Sequence, residues 1–211
     1  MRLYKYINEQ LDYTEDDIDE IISVIQKNCK PYLKDVKTKY GDNFLLSGRR
    51  KYQGFFNKKK IRKMRVPKDT PMEIHKFMDN WFYKKFGIKF RSNSLFCFFD
   101  EDLALSYGYV YIIFPIGKYN ILSSTEVGDL YALLNAKFTS TLTWKHGEFK
   151  EDYKEQKLKE IEEFLENKAN YKLNQLADID NEVMLNCNEY YALFYHGIED
   201  FEKFTNTLFG F

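Results

Sequence analysis

The stretch Phe90–Pro115, FRSNSLFCFFDEDLALSYGYVYIIFP, decides how the rest of the chain is read. Ser92 and Ser94 stand at alternate positions and an aromatic, apolar run continues to Phe99, which predicts a strand beginning at Phe90. A period of two puts Ser92, Ser94, Phe96 and Phe98 on one face and Leu95, Cys97 and Phe99 on the other. Asp100-Glu101-Asp102 then makes an acidic turn into a short helix, and a second strand of β-branched and aromatic residues ends at Pro115. One strand face therefore carries a polar end in an otherwise apolar element, which is where a site is to be sought.

Toward the N-terminus, Thr14 and the acids after it supply a helix start, and Ile18, Ile21, Ile22 and Ile25 follow at helical spacing. Pro31 divides the run into two helices and Gly41 ends the second. Residues 1–41 read as a helical cover on a core spanning 42–211. Phe44 to Arg50 is a short strand ending in two arginines, and Lys51 to Arg65 a basic loop. Thr70-Pro71 starts a helix that Gly87 stops, with His75 a packed or surface residue inside it.

Toward the C-terminus, Tyr119 to Leu122 is a strand, Ser123-Ser124-Thr125-Glu126 starts a helix over Val127 to Ala136, and Phe138 to Trp144 is a hairpin arm. Residues 147–171 form a charged helical insertion with Leu158, Ile161, Phe164 and Leu165 at helical spacing. Asp180 to Leu185 and Tyr190 to Tyr195 read as an antiparallel pair turning at Asn186-Cys187-Asn188, and the aromatic tail packs back as a helix. Helices followed by scattered short strands give an α+β fold rather than a doubly wound sheet, and no glycine-rich phosphate loop occurs.

The chain has 32 basic and 32 acidic residues, so its zero net charge gives no whole-chain attraction to nucleic acid. Charge is uneven locally: Lys58, Lys59, Lys60, Arg62, Lys63 and Arg65 cluster, and the structural reading is a solvated loop, the functional one a contact for an acidic surface or for phosphates. Three scattered cysteines without metal-ligand spacing indicate a reducing compartment, and no stretch has the length of a membrane span. A cytoplasmic location without membrane contact and without a metal is expected. Aromatics make up 18% of the chain, enough to supply both a core and the stacking walls of a cleft.

A strand ending in arginine, a strand with Ser92-Asn93-Ser94, and Asp180-Asn181-Glu182 before the apolar Val183-Met184-Leu185 occur in that order. This order resembles the arginine, serine, glutamate pattern of the mono-ADP-ribosyltransferase superfamily, found in bacterial toxins and in phage enzymes that modify host proteins. Asp100 to Ala104 followed by Tyr107 is similar to the family's acidic turn and Ala-x-x-aromatic helix. The layout from Arg62 to Asp129 also resembles tailed-phage proteins. The resemblance implies a core of two small packed sheets, NAD as substrate, and a host protein as acceptor in the host cytoplasm.

It further implies that Glu182 is the catalytic carboxylate, that Asp180 serves the acceptor, and that Ser92 orients Glu182 or the nicotinamide while Ser94 supports the strand. Arg49 would hold the pyrophosphate, with Arg50, Arg62 and Arg65 as alternatives, and Phe96, Tyr107 or Tyr109 would stack on nicotinamide. Two departures are visible: Leu46-Ser47-Gly48 has serine where the family has arginine before glycine, and Asp180 stands for the usual Glu or Gln. A non-catalytic binding protein on this scaffold, or an NAD glycohydrolase with water as acceptor, are the other readings.

Overall fold

The computed structural model describes residues 17–65, 70, 72–128, 130, 133, 142–143, 148–149, 151–176 and 181–210. Among these the chain is α+β, with two antiparallel four-stranded sheets, a two-stranded ribbon and helices packed around them.

Helices α1 (Ile18–Asn28) and α2 (Lys30–Thr38) break at Cys29, with Pro31 in the first turn of α2, as the sequence predicts. Thr14 lies outside the described residues. Ile21, Ile22 and Ile25 of α1 and Tyr32, Leu33 and Val36 of α2 are buried in the main core, so these helices form part of that core. The Tyr32 hydroxyl accepts the Leu45 N–H at 2.7 Å and so ties α2 to the stretch that enters the first sheet. Tyr119 on β5 (Tyr119–Ser124) donates to Asp35 of α2 at 2.6 Å and lies 3.0 Å from the Tyr40 hydroxyl.

The first sheet has the order β1-β4-β10-β2, from β1 (Leu46–Arg49), β2 (Phe56–Lys60), β4 (Tyr109–Pro115) and β10 (Glu189–Phe194). Strand β2 lies inside the stretch predicted as a basic loop. It is an edge strand, where the lysines that lower strand propensity also keep the unpaired edge soluble. On β4 the run Val110 to Phe114 is buried without alternation, so both faces of this sheet are covered.

The second sheet has the order β3-β9-β5-β8, adding β3 (Leu95–Cys97), β8 (Tyr171–Leu173) and β9 (Val183–Cys187). Here successive buried side chains alternate between two cores. Cys97, Ile121, Val183 and Leu185 enter the core shared with the first sheet, while Leu122 and Met184 enter a second core. That second core is closed by α3 (Met72–Phe86) and α6 (Glu151–Asn167), through Ile74, Met78, Trp81 and Phe82 and through Ile161, Phe164 and Leu165. The segment read as a helical insertion thus covers one sheet face.

Two predicted features are corrected. Phe90–Asn93 is a helical turn, α4, so the strand begins only at Leu95 and Ser92 lies off it. Phe90 packs edge-on against Phe82 and Phe86 of α3, which draws the segment onto the helix. Strands β9 and β10 are also no hairpin: β9 pairs with β3 and β5, β10 with β4 and β2. The chain turns a corner at Asn188 from one sheet to the other, and Asn188 and Glu189 give their carbonyls to Ile61 and Ile116 instead.

The remaining elements are the short ribbon β6 (Leu142–Thr143) with β7 (Glu148–Phe149), α5 (Glu101–Leu105) and α7 (Phe201–Phe209). Asp100 caps α5 by accepting the Leu103 N–H at 2.7 Å. Most of the predicted helix over Val127 to Ala136, and the arm at Phe138 to Trp144 outside β6, lie outside the described residues.

Candidate functional site

The two sheets meet where Leu46 of β1 and Phe98, just after β3, exchange backbone hydrogen bonds of 2.7 and 2.8 Å. Ser47 reinforces the seam by donating its buried hydroxyl to the Phe96 carbonyl at 3.1 Å. Gly48 follows because nothing larger fits: a Cβ there would lie 2.1 Å from the Ala104 carbonyl oxygen and 2.6 Å from Tyr107 Cβ. The close crossing of α5 over β1 places Arg49 at the end of β1, where Nη2 donates to the Tyr190 hydroxyl at 3.2 Å.

Glu182 reaches the same seam from the other sheet. It immediately precedes β9, and its N–H donates to the Gly128 carbonyl at 2.9 Å while neighbouring Asn181 donates to the Ser124 carbonyl at 2.8 Å. Cys97 pairs with Val183, so the residues across from Glu182 are Cys97 and Phe98. Burial, first, raises the Cys97 thiol far above its ordinary value; Arg49 opposes this, and Cys187 and Glu182 add to it. Arg49 and Glu182, far apart in sequence, thus flank β3 from its two neighbouring strands, β1 and β9.

Two further arginines adjoin. The Arg65 guanidinium lies 4.4 Å from the Phe96 ring centroid and that of Arg91 5.4 Å from it. Burial lowers the Arg65 pKa, Arg91 lowers it further, Glu182 raises it, and Arg49 lowers it again. Burial also raises the Tyr190 hydroxyl, against the charge and hydrogen bond of Arg49. Arg91 is buried and gives Nη2 to Thr70 Oγ1 at 3.2 Å. Arg49 Nε, Arg91 Nε and Ser94 Oγ are buried without a hydrogen-bond partner among the described residues. The seam thus has an excess of unmatched cationic donors, opposed by Glu182, and suits an anionic ligand.

The predicted serines do not join Glu182. Ser92 donates its hydroxyl in a short hydrogen bond to Asp79 Oδ2 and its N–H to Asp79 Oδ1 at 3.1 Å, and lies 3.0 Å from His75 Nε2. His75 is buried, as the packed reading of it requires, and burial lowers its pKa, with Asp79 opposing and Arg91 and Arg65 assisting. Ser94 lies one step beyond the Leu95–Leu185 pair, on the side of Asn186, so about 13 Å of strand separates it from the position across from Glu182. Phe96 does border the site, beneath the two arginines. Tyr107 and Tyr109 are about half exposed beside Arg49, Tyr107 stacking on Phe98 at 5.5 Å and Tyr109 pairing with Arg49. Asp180 lies outside the described residues.

Sequence reasoning missed Cys97, Arg91 and the Asp79, Ser92, His75 cluster. Arg91 had a visible signal, a cation directly beside the predicted serine strand. Asp79 and His75 are four residues apart on α3, hence on one helix face, but a partner outside that helix was needed to give the spacing meaning. No group of acids, histidines and cysteines suited to a metal occurs among the described residues. No described helix is long and apolar enough to cross a membrane. No protein-family profile, curated protein or solved structure matches the chain.

Proposed function

We propose that the chain is an NAD-dependent mono-ADP-ribosyltransferase that modifies a host macromolecule, built on an ADP-ribosyltransferase-like arrangement of its two small sheets. The observation that carries this reading is that the strand ending in Arg49 and the strand that follows Glu182 lie on either side of β3, which the Leu46–Phe98 bridge joins to β1 and the Cys97–Val183 pairing joins to β9. Breaking the nicotinamide–ribose bond builds positive charge on the ribose, which a nearby carboxylate stabilises, and Glu182 is that carboxylate. Arg49 offers a planar fork to the pyrophosphate, and the unmatched Nε donors of Arg49 and Arg91 suit the same anion. Phe96, Tyr107 and Tyr109 supply aromatic surface for nicotinamide.

Ser92 has no part in this site, since its hydroxyl serves Asp79. That displacement favours a second reading, a non-catalytic binding protein on the same scaffold. Incubation of the chain with radiolabelled NAD and host lysate separates the two. Labelled product that disappears in Glu182→Gln is the expected result; neither transfer nor nicotinamide release would leave the binding protein. Free ADP-ribose as the sole product, identified by mass, would make it a glycohydrolase.

A further inference from the structure

A cavity of about 330 Å³ lies at the far end of β9 from Glu182, bordered by Lys63, Tyr83, Lys89, Asn93, Asn186 and Asn188. Its volume suits a single planar heterocycle with its sugar rather than a side-chain carboxylate. Lys63 and Lys89 are exposed, and Tyr83 is 57% exposed. Asn186 donates to the Asn93 carbonyl at 2.6 Å and Asn93 Oδ1 accepts the Met64 N–H at 3.2 Å, which fixes both amides. Their remaining groups, Asn186 Oδ1 and Asn93 Nδ2, leave an acceptor and a donor at the cavity.

The segment 61–65 borders this cavity through Ile61 and Lys63 and continues to Arg65. Ile61 donates to Asn188 at 3.1 Å, Arg65 donates its N–H to the Ser92 carbonyl at 3.0 Å, and the Arg65 guanidinium lies over Phe96, which pairs with Met184 two residues from Glu182. Arg62 and Lys63 on this segment are exposed, and the lysines of β2 border its start. Exposed cations, an aromatic ring and amide groups thus border the Asn186 end of β9, and Arg65 sits over Phe96 opposite Met184, within the roughly 13 Å of strand between Asn186 and Glu182.

We propose that this surface binds single-stranded nucleic acid, with one base in the cavity against Tyr83 and phosphates on Lys63, Lys89 and Arg62, so that a neighbouring base is the acceptor at Glu182. Several exposed cations beside an exposed ring and a cavity are what a nucleic-acid strand requires, whereas an acidic protein surface has no use for a base-sized cavity. The acceptor step rests on the NAD reading above. In it, the bond between nicotinamide nitrogen and C1′ of the ribose breaks with its electron pair leaving on nicotinamide. A ring or exocyclic nitrogen of the base bonds to C1′, and its proton passes to Glu182 or water.

The test is fluorescence anisotropy of a labelled, short single-stranded DNA, and of RNA of the same length, with the full chain and no NAD present. Binding is expected to weaken about tenfold in Lys63→Glu/Lys89→Glu, with the slope of log affinity against log salt falling by about 1.4 between about 50 and 200 mM. Tyr83→Ala is expected to weaken it about tenfold or more by loss of base stacking. All three positions are at the surface, so unchanged melting curves confirm folding. No binding at low salt overturns the proposal, as does polyglutamate competing equally while Tyr83→Ala is neutral, which would indicate an acidic protein. Calorimetry with NAD on the same samples keeps the two readings apart. NAD binding without oligonucleotide binding removes this inference alone, and the reverse leaves the nucleic-acid site and removes the enzyme.

Discussion

Replacing Gly48 with alanine tests how the site is held. The added Cβ would stand 2.1 Å from the Ala104 carbonyl oxygen, 2.6 Å from Tyr107 Cβ and 3.2 Å from the Ala104 carbonyl carbon. Two of these atoms are backbone and Ala104 is fully buried, so relief requires α5 to move off β1. Forcing a methyl into such a contact costs about 1–3 kcal/mol. The reduced freedom of the unfolded chain returns about 0.4–1 kcal/mol. The net loss is about 0–2.6 kcal/mol, and its central value of about 1.3 kcal/mol lowers Tm by about 3–5 °C for a domain of this size. Circular dichroism melting measures it. Because Gly48 adjoins Arg49, weaker NAD binding should accompany the loss. A Tm within about 1 °C of wild type would refute the argument, since it would mean that α5 does not cross β1 at this distance.

Other outcomes follow from named contacts. Tyr119→Phe removes the hydroxyl between Asp35 and Tyr40 and should cost about 1–2 kcal/mol in urea denaturation. His75 has a folded pKa below its ordinary 6.5, so the unfolded chain takes up the proton first. Its contribution is complete above about pH 6.5 and is lost as pH falls toward the folded value. Stability measured from pH 8 downward should therefore decline below about 6.5, and His75→Gln should remove that part of the decline. Asp79→Ala strands the Ser92 N–H and leaves the Ser92 hydroxyl and His75 only each other in a buried place, and should destabilise by about 1–3 kcal/mol, read by chemical denaturation.

Local physics made much of the fold legible. The α1–α2 break follows from the fixed backbone and missing N–H of Pro31, and β4 follows from its unbroken run of β-branched and aromatic residues. Strand β2 was hidden because Asn57-Lys58-Lys59-Lys60 has low strand propensity, and only the neighbouring β10 makes it a strand. Ser92 was misplaced because Ser-x-Ser has no preference between a strand and a single helical turn. The decision is made by the distant Asp79, which takes the Ser92 N–H, and by Phe90 packing on α3. The positions of β9 and β10 were readable and their pairing was not, because a turn of asparagines serves a hairpin and an inter-sheet corner equally well. Of the candidate site, Arg49, Phe96 and Glu182 were singled out through the resemblance, whereas the place of Arg91 depends on its contacts with Thr70 and Phe96, which are distant from any local pattern.

The central claim is that Arg49 and Glu182 form one NAD site. Nicotinamide release from NAD by the purified full chain, beside Arg49→Lys and Glu182→Gln, tests it most directly. Release by wild type, weakened NAD binding in Arg49→Lys, and NAD binding retained but release abolished in Glu182→Gln is the predicted result. Release that persists unchanged in Glu182→Gln, or NAD binding indifferent to Arg49, would contradict it.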